Sequence, residues 1–337
     1  MWYKYIFEKV IVIATKILLE DFIVKIKPMK ILLVAILLFS IAINVVLFLK
    51  VQEQPWHIDF MNANSRDTFF TIHNIKEAQS ISKGKGIKVG ILDHYFGCET
   101  HEDLYKGTID FLDDSDAFNK ISEHGYWMAT TLKEIAPECD VYAINTLDSK
   151  DEDKKVTAMI KAIDWAIENK IDILTYSEAP ISEKNRQRFD AAVNKAAENN
   201  VITTFIHYDN PNNIWPNIMS SHNNQGYNRE PDFNIFNYDY KVLFMDQYKK
   251  YENLGNNISG GKNIPYFSIS STSPVTAGFI AILKSVNNKL SPNEYRDILK
   301  KTSYKMSFKD PFTLKDSECS SVVDIGKAVI YLKESYK

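Results

Sequence analysis

The sequence predicts an α/β fold: a three-layer, doubly wound, mostly parallel sheet, preceded by one N-terminal transmembrane helix. Three observations carry this. From residue 86 onward, short apolar runs alternate with longer segments of helical spacing, the pattern of a parallel sheet covered by helices on both faces. The run Ile87-Lys88-Val89-Gly90-Ile91-Leu92-Asp93 is an apolar strand ending in a carboxylate, and open parallel sheets gather functional groups at the carboxyl ends of their strands. Residues 31–49 form an unbroken uncharged run between Lys30 and Lys50, reaching about 28 Å as a helix.

With 337 residues, 45% hydrophobic, 25% charged and 12% aromatic, the composition is globular and fits one large α/β domain or two small ones. Cys98, Cys139 and Cys319 are too few and too scattered for a metal knuckle, and an odd count argues against a disulfide framework. The chain carries a net charge of -3. Residues 1–50 hold seven lysines against three acids, so the remainder stands at -7. No basic stripe with interleaved aromatics exists, which argues against a nucleic-acid partner.

Residues 29–50 read as a signal-anchor helix. A core helix would show a polar face, and a signal peptide would show a small-x-small site after the run; Val-Leu-Phe-Leu-Lys-Val-Gln shows neither. Lysines are richer on its amino side (Lys4, Lys9, Lys16, Lys25, Lys27, Lys30), so the amino end is expected in the cytoplasm and the bulk of the protein outside. Residues 1–28 have two readings: a basic interfacial helix, or an over-extended reading frame before a natural start at Met29.

Residues 51–85 read as a lead-in with one helix around Arg66–Ala78, and residues 86–337 as the main domain. After the Asp93 strand comes His124-Gly125, and Tyr126–Ile135 then reads as a helix that Pro137 stops. Asp140–Asn145 reads as a strand, Thr157–Asn169 as an amphipathic helix, Ile171–Ser177 as a strand, Arg186–Asn199 as a helix and Val201–Ile206 as a strand. His207–Lys262 is rich in Asn and Pro, with short strand candidates at Asn217–Ser220 and Tyr240–Met245; such connections often carry substrate contacts. Ser291-Pro292-Asn293-Glu294 opens a helix to Thr302, and Asp324–Ser335 closes the chain as a last helix.

The stretch Ser268-Ile269-Ser270-Ser271-Thr272-Ser273-Pro274 follows a loop holding Gly255, Gly260 and Gly261 and opens the apolar run Phe279–Leu283, as a helix N-terminus does. A serine there is either an ordinary cap or a nucleophile served by the positive end of the helix dipole and by free backbone N–H groups. Asp93 and His124 have bland readings too, as turn and helix caps.

Together these pieces resemble the subtilisin-like serine proteases, the subtilases (peptidase S8 family). Gly86–Asp93 is similar to the family's first motif, an apolar strand ending in the triad Asp. Glu123-His124-Gly125-Tyr126-Trp127-Met128-Ala129-Thr130, followed by Ile135-Ala136-Pro137, is similar to its second. Ser268–Gly278 is similar to its third, in which the nucleophile stands four residues before Pro. The order Asp, His, Ser is the family's, and Ala162–Ala166 and Ile171–Ser177 match between motifs, so the resemblance covers about residues 51–310. It implies Ser270 as nucleophile, His124 as general base and then acid, and Asp93 as the group orienting His124. It also implies no cofactor and a peptide or protein substrate.

The departures are specific. The family's Gly-Thr-Ser-Met-Ala stands here as Ser268-Ile269-Ser270-Ser271-Thr272, and its second-motif His-Gly-Thr-His as His124-Gly125-Tyr126-Trp127. The substrate-lining Ser-Leu-Gly-Gly becomes Ser177-Glu178-Ala179-Pro180. Pro180 removes a backbone donor, and Glu178 either favours a basic residue before the scissile bond or faces solvent. The oxyanion Asn falls at Asp209, whose ionised carboxylate would repel the charge it should stabilise. A protonated Asp209, or a one-residue shift presenting Asn210, would restore a donor. About thirty-five residues separate the apolar run from Gly86, too few for the family's folding pro-domain. Asp103, Asp113, Asp114 and Asp116 match no calcium loop, so no metal is expected. The leading expectation is a membrane-anchored serine endopeptidase. Its rivals are a pseudoprotease of the same fold acting as a binding or sensing module, and a non-hydrolytic α/β protein with accidental motif matches.

Overall fold

Strand β2 (Lys88–Asp93) is the centre of the molecule. It pairs in parallel with β4 (Asp140–Asn145) on one side and β5 (Ile173–Tyr176) on the other. With β3 (Gly107–Asp110) and β6 (Ile202–Phe205) outside them, the sheet runs β3-β4-β2-β5-β6, all parallel. Asp93 stands opposite Asn145 at the carboxyl edge. This computed structural model describes residues 57–59, 65–113, 115–119, 123–147, 151–177, 181–218, 232–235, 269–309 and 316–336, all within the unit Trp56–Lys337.

The alternation of side chains along the strands splits the core in two. Val89, Ile91, Val141, Ala143 and Ile173 join one cluster with α3 (His124–Ile135) and α6 (Thr272–Val286). Leu92, Ile144, Leu174 and Tyr176 join a second cluster with α4 (Glu152–Glu168) and α5 (Glu183–Glu198). These are the three layers expected from the sequence. Helix α6 is buried on every side from Thr272 to Lys284, which explains its lack of a polar face. Its one buried charge, Lys284, lies 3.4 Å from Asp172.

The other elements are a lead-in, α1 (Ser65–Ile72) and α2 (Ile75–Ile81), and a C-terminal pair, α7 (Pro292–Thr302) and α8 (Ile325–Ser335). The single helix expected over Arg66–Ala78 is two helices, because Asn74 takes a left-handed conformation (φ 54°). A full capping box between Ser291 and Glu294 starts α7, as its sequence announces, and Asp324 caps α8 by accepting from the Lys327 amide. A second, mixed sheet runs β1-β9-β10-β8-β7, built from His57–Asp59, Tyr304–Lys309, Asp316–Val322, Phe233–Ile235 and Pro216–Ile218. Its β9-β10 antiparallel pair gives no clear alternating signal in the sequence.

Among the described residues, no helix is long and apolar enough to cross a membrane. The spans expected at 1–28 and 29–50 lie outside them, as do the strand candidate Tyr240–Met245 and the glycines at 255, 260 and 261.

Candidate active site

The carboxyl edge of the main sheet brings the first two expected groups together. Asp93, the last residue of β2, is 1% exposed. His124, the first residue of α3, donates from Nδ1 to Asp93 Oδ2 at 2.7 Å. The backbone fixes this meeting: the Gly125 amide donates to His94 O at 2.9 Å and the Glu123 amide to Tyr95 O at 3.0 Å. Gly125 is required there, since a Cβ would stand 2.5 Å from His94 O and 2.8 Å from the Phe96 ring. The capping reading of His124 therefore gives way to a carboxylate–imidazole pair.

Burial by itself would raise the Asp93 carboxyl. The His124 charge and the hydrogen bonds from His124 and His94 outweigh it and hold the group below the ordinary carboxylate range. Asp93 is thus an ionised acceptor, which favours His124 with Nδ1 protonated.

Ser270 lies in a 3-10 turn, Ile269–Ser271, that leads directly into α6 and packs against α3. Its side chain is partly exposed, and among the described residues no hydrogen bond joins it to His124. Ser271, the residue before α6, makes no side-chain cap bond. The turn is thus not an ordinary serine-capped start; Ser270 stands two residues before the helix, at its positive end. The packing of α3 on α6 sets the distance between His124 and Ser270. That packing is tight at Gly278, where a Cβ would stand 2.6 Å from Ile135 Cβ.

The oxyanion candidates sit otherwise than either rescue requires. Asp209 is 9% exposed, and Arg186 Nη2 donates to its Oδ1 in a very short ion pair. A carboxylate held by a guanidinium is ionised and accepts; it does not donate. The Asn210 amide is spent too, donating to Asp190 Oδ1 at 2.8 Å and Asn194 Oδ1 at 3.2 Å. Tyr208 OH donates to Asp190 Oδ1 at 2.5 Å, and Arg186 stacks over the Tyr208 ring at 4.7 Å while donating from Nε to Asp190. The loop after β6 is therefore organised around α5. Sequence reasoning missed Arg186, which resembles any other charge on a polar helix face.

Of the substrate-lining candidates, Ser177 directly follows β5 and is buried, while Glu178 and Ala179 lie outside the described residues. Asp103, Asp113 and Asp116 join no metal cage: among the described residues no group of three His, Cys, Asp or Glu could hold an ion. All three cysteines are free, and burial pushes the thiols up, to about 11 at Cys98 and about 12 at Cys139 and Cys319.

Residues 84–207 match the model of the subtilase family. An intracellular serine protease of Paenibacillus polymyxa is 24% identical over 265 residues, covering 66% of this chain and 75% of that protein. The major intracellular serine protease of Bacillus subtilis is 31% identical over 36% of this chain and 42% of its own length. A thermostable alkaline protease of Halalkalibacterium halodurans is 27% identical over 43% of this chain. The chain spans about two fifths of the length of the last two. Among solved structures, the MycP3 protease from the type VII (ESX-3) secretion system superposes with a TM-score of 0.54 at 12% identity, covering 77% of this chain and 87% of that one. The prenylagaramide maturation protease PagA gives 0.52 at 16% identity, covering 77% and 98%. Identities this low speak to the fold alone.

Proposed function

Because this chain is subtilase-like, carrying the family's sequence over residues 84–207, we propose that it is a serine endopeptidase working through Asp93, His124 and Ser270. The observation that carries the reading is the buried, ionised Asp93 accepting from His124 Nδ1 at 2.7 Å, beside the turn that holds Ser270. In this reading His124 Nε2 takes the Ser270 proton as Oγ attacks the scissile carbonyl, and Asp93 steadies the imidazolium that forms. The imidazolium then protonates the leaving amine. Water, deprotonated by the same nitrogen, releases the acyl group from Ser270. Residues 31–49 are the proposed anchor, which would hold the catalytic domain outside the membrane and confine it to peptides or proteins near that surface.

A second reading, a pseudoprotease that binds rather than cuts, is favoured by one specific observation. Asp209 and Asn210, the side chains nearest in sequence to the family's oxyanion donor, are both engaged by α5. Losing one such donor typically costs about 100- to 1000-fold in rate. The two readings part on labelling with a fluorophosphonate probe. The endopeptidase labels at Ser270, and labelling disappears in Ser270→Ala. A folded protein that does not label at all is the binding module.

A further inference from the structure

The catalytic-site carboxylate faces two imidazoles. Oδ2 of Asp93 accepts from His124, while Oδ1 accepts the His94 backbone N–H at 2.8 Å and lies 3.2 Å from His94 Nδ1. That Nδ1 is buried and makes no well-directed hydrogen bond, so the carboxylate is the polar group it addresses. The placement of His94 is built in. Its ring packs on Tyr95 with centroids 4.3 Å apart, Tyr95 holds a left-handed conformation (φ 54°), and His94 O receives the Gly125 amide of α3. The contacts that set His124 against Asp93 therefore set His94 against it as well.

We propose that His94 is a positioning residue for the Asp93–His124 pair: its Nδ1–H holds Oδ1, so that the carboxylate turns Oδ2 toward His124. The terminal torsion of a carboxylate is broad and two-fold. The His94 backbone N–H already meets Oδ1, and the ring nitrogen adds a second polar contact on the same oxygen that opposes rotation of the plane. Asp93 itself is buried, so a dipole 3.2 Å from its Oδ1 is screened less than one at the surface. After His124, the side-chain and backbone contacts of His94 also help to hold the Asp93 carboxyl below its ordinary value. The inference rests on the endopeptidase reading only for its kinetic consequence; the orientation of His124 is a property of the folded protein.

The test uses the full chain with two readouts. His94→Phe keeps a ring against Tyr95 but removes the nitrogen, and His94→Gln restores a side-chain N–H. Proton NMR follows the low-field Nδ1–H resonance of His124, assigned by its absence in His124→Gln. Fluorophosphonate labelling is resolved into its saturating rate and half-saturating concentration. We expect His94→Phe to shift or broaden the resonance and lower the saturating rate about tenfold, the scale of one hydrogen bond to a charged group. The half-saturating concentration stays put, and His94→Gln recovers both signals. An unchanged resonance and rate in a folded His94→Phe overturn the proposal, as does a loss that His94→Gln does not repair. Should His94→Phe fail to fold, His94→Leu against His94→Gln makes the same comparison. If the native chain does not label, the endopeptidase reading fails, and the resonance still decides the role of His94.

Discussion

Arg186 on α5 closes an ion pair on Asp209, at the position where the family resemblance places the oxyanion donor. The pair explains why exchanging Asp209 for the family's residue should not repair the site by itself. An Asn at 209 would still face Arg186, and the loop would still be tied by Tyr208 and Asn210 to Asp190. The fluorophosphonate labelling rate of Asp209→Asn is expected within about threefold of the parent, against the roughly 100-fold gain a restored donor typically brings. A gain of that larger size would mean that the loop swings freely to Ser270.

The same pair predicts a stability cost. Asp209 is buried and Arg186 is about one quarter exposed, so Arg186→Ala takes the guanidinium away from a buried carboxylate while water reaches part of the gap. The expected loss is about 2 kcal/mol, below the 3–5 kcal/mol of a fully buried pair. Urea unfolding measures it. Arg186→Ala combined with Asp209→Asn should recover most of the loss, since the buried charge is then gone. A double variant as weak as the single one would show that the stacking of Arg186 on Tyr208, and not the charge, matters.

Gly278 carries a third prediction. It lies in the middle of α6, where it meets Ile135 of α3 with no room for a methyl group. Gly278→Ala should cost about 1–3 kcal/mol, as overpacking does. It should also lower Ser270 labelling in the folded variant, because parting α3 from α6 parts His124 from Ser270. Labelling equal to the parent's would disconnect the helix crossing from the active-site geometry.

The main sheet was legible because its strands are short apolar runs with turn signals between them, and the helices of α4, α5 and α7 because their apolar spacing or caps are explicit. Asp93 and His124 were legible through motif order, and the structure joins them. What the sequence could not reveal is side-chain commitment. Nothing in Ile206–Asn210 indicates that Asp209 answers Arg186, since the two are 23 positions apart on different elements. His94 was invisible for a similar reason: adjacency to Asp93 along a strand would send alternate side chains to opposite faces, and only the turn after β2 brings its ring back to the carboxylate. The β9-β10 pair was hidden because its pattern holds too few apolar residues to fix a register.

The last prediction concerns pH. In the native chain the folded Asp93 carboxyl sits below its unfolded value of 3.8. Its contribution to stability is therefore fully present above about pH 4 and is lost as pH falls through the folded value. Removing the imidazole in His124→Ala takes away the attractive charge and one hydrogen bond, leaving burial, the largest single influence, against the smaller hydrogen bonds from His94. Asp93 would then ionise above its unfolded value, and its charge would weigh against folding at neutral pH. His124→Ala should be less stable than the parent by about 1–3 kcal/mol at pH 7, the usual cost of taking the hydrogen-bond partner from a buried polar group. The gap should narrow as the variant's carboxyl takes up its proton on the way down to pH 4, where the parent still keeps most of the benefit of its own charge. Urea midpoints at pH 7, 5.5 and 4 measure this. A gap constant across the three would mean that the lost packing of the ring, and not the ionisation of Asp93, sets the cost.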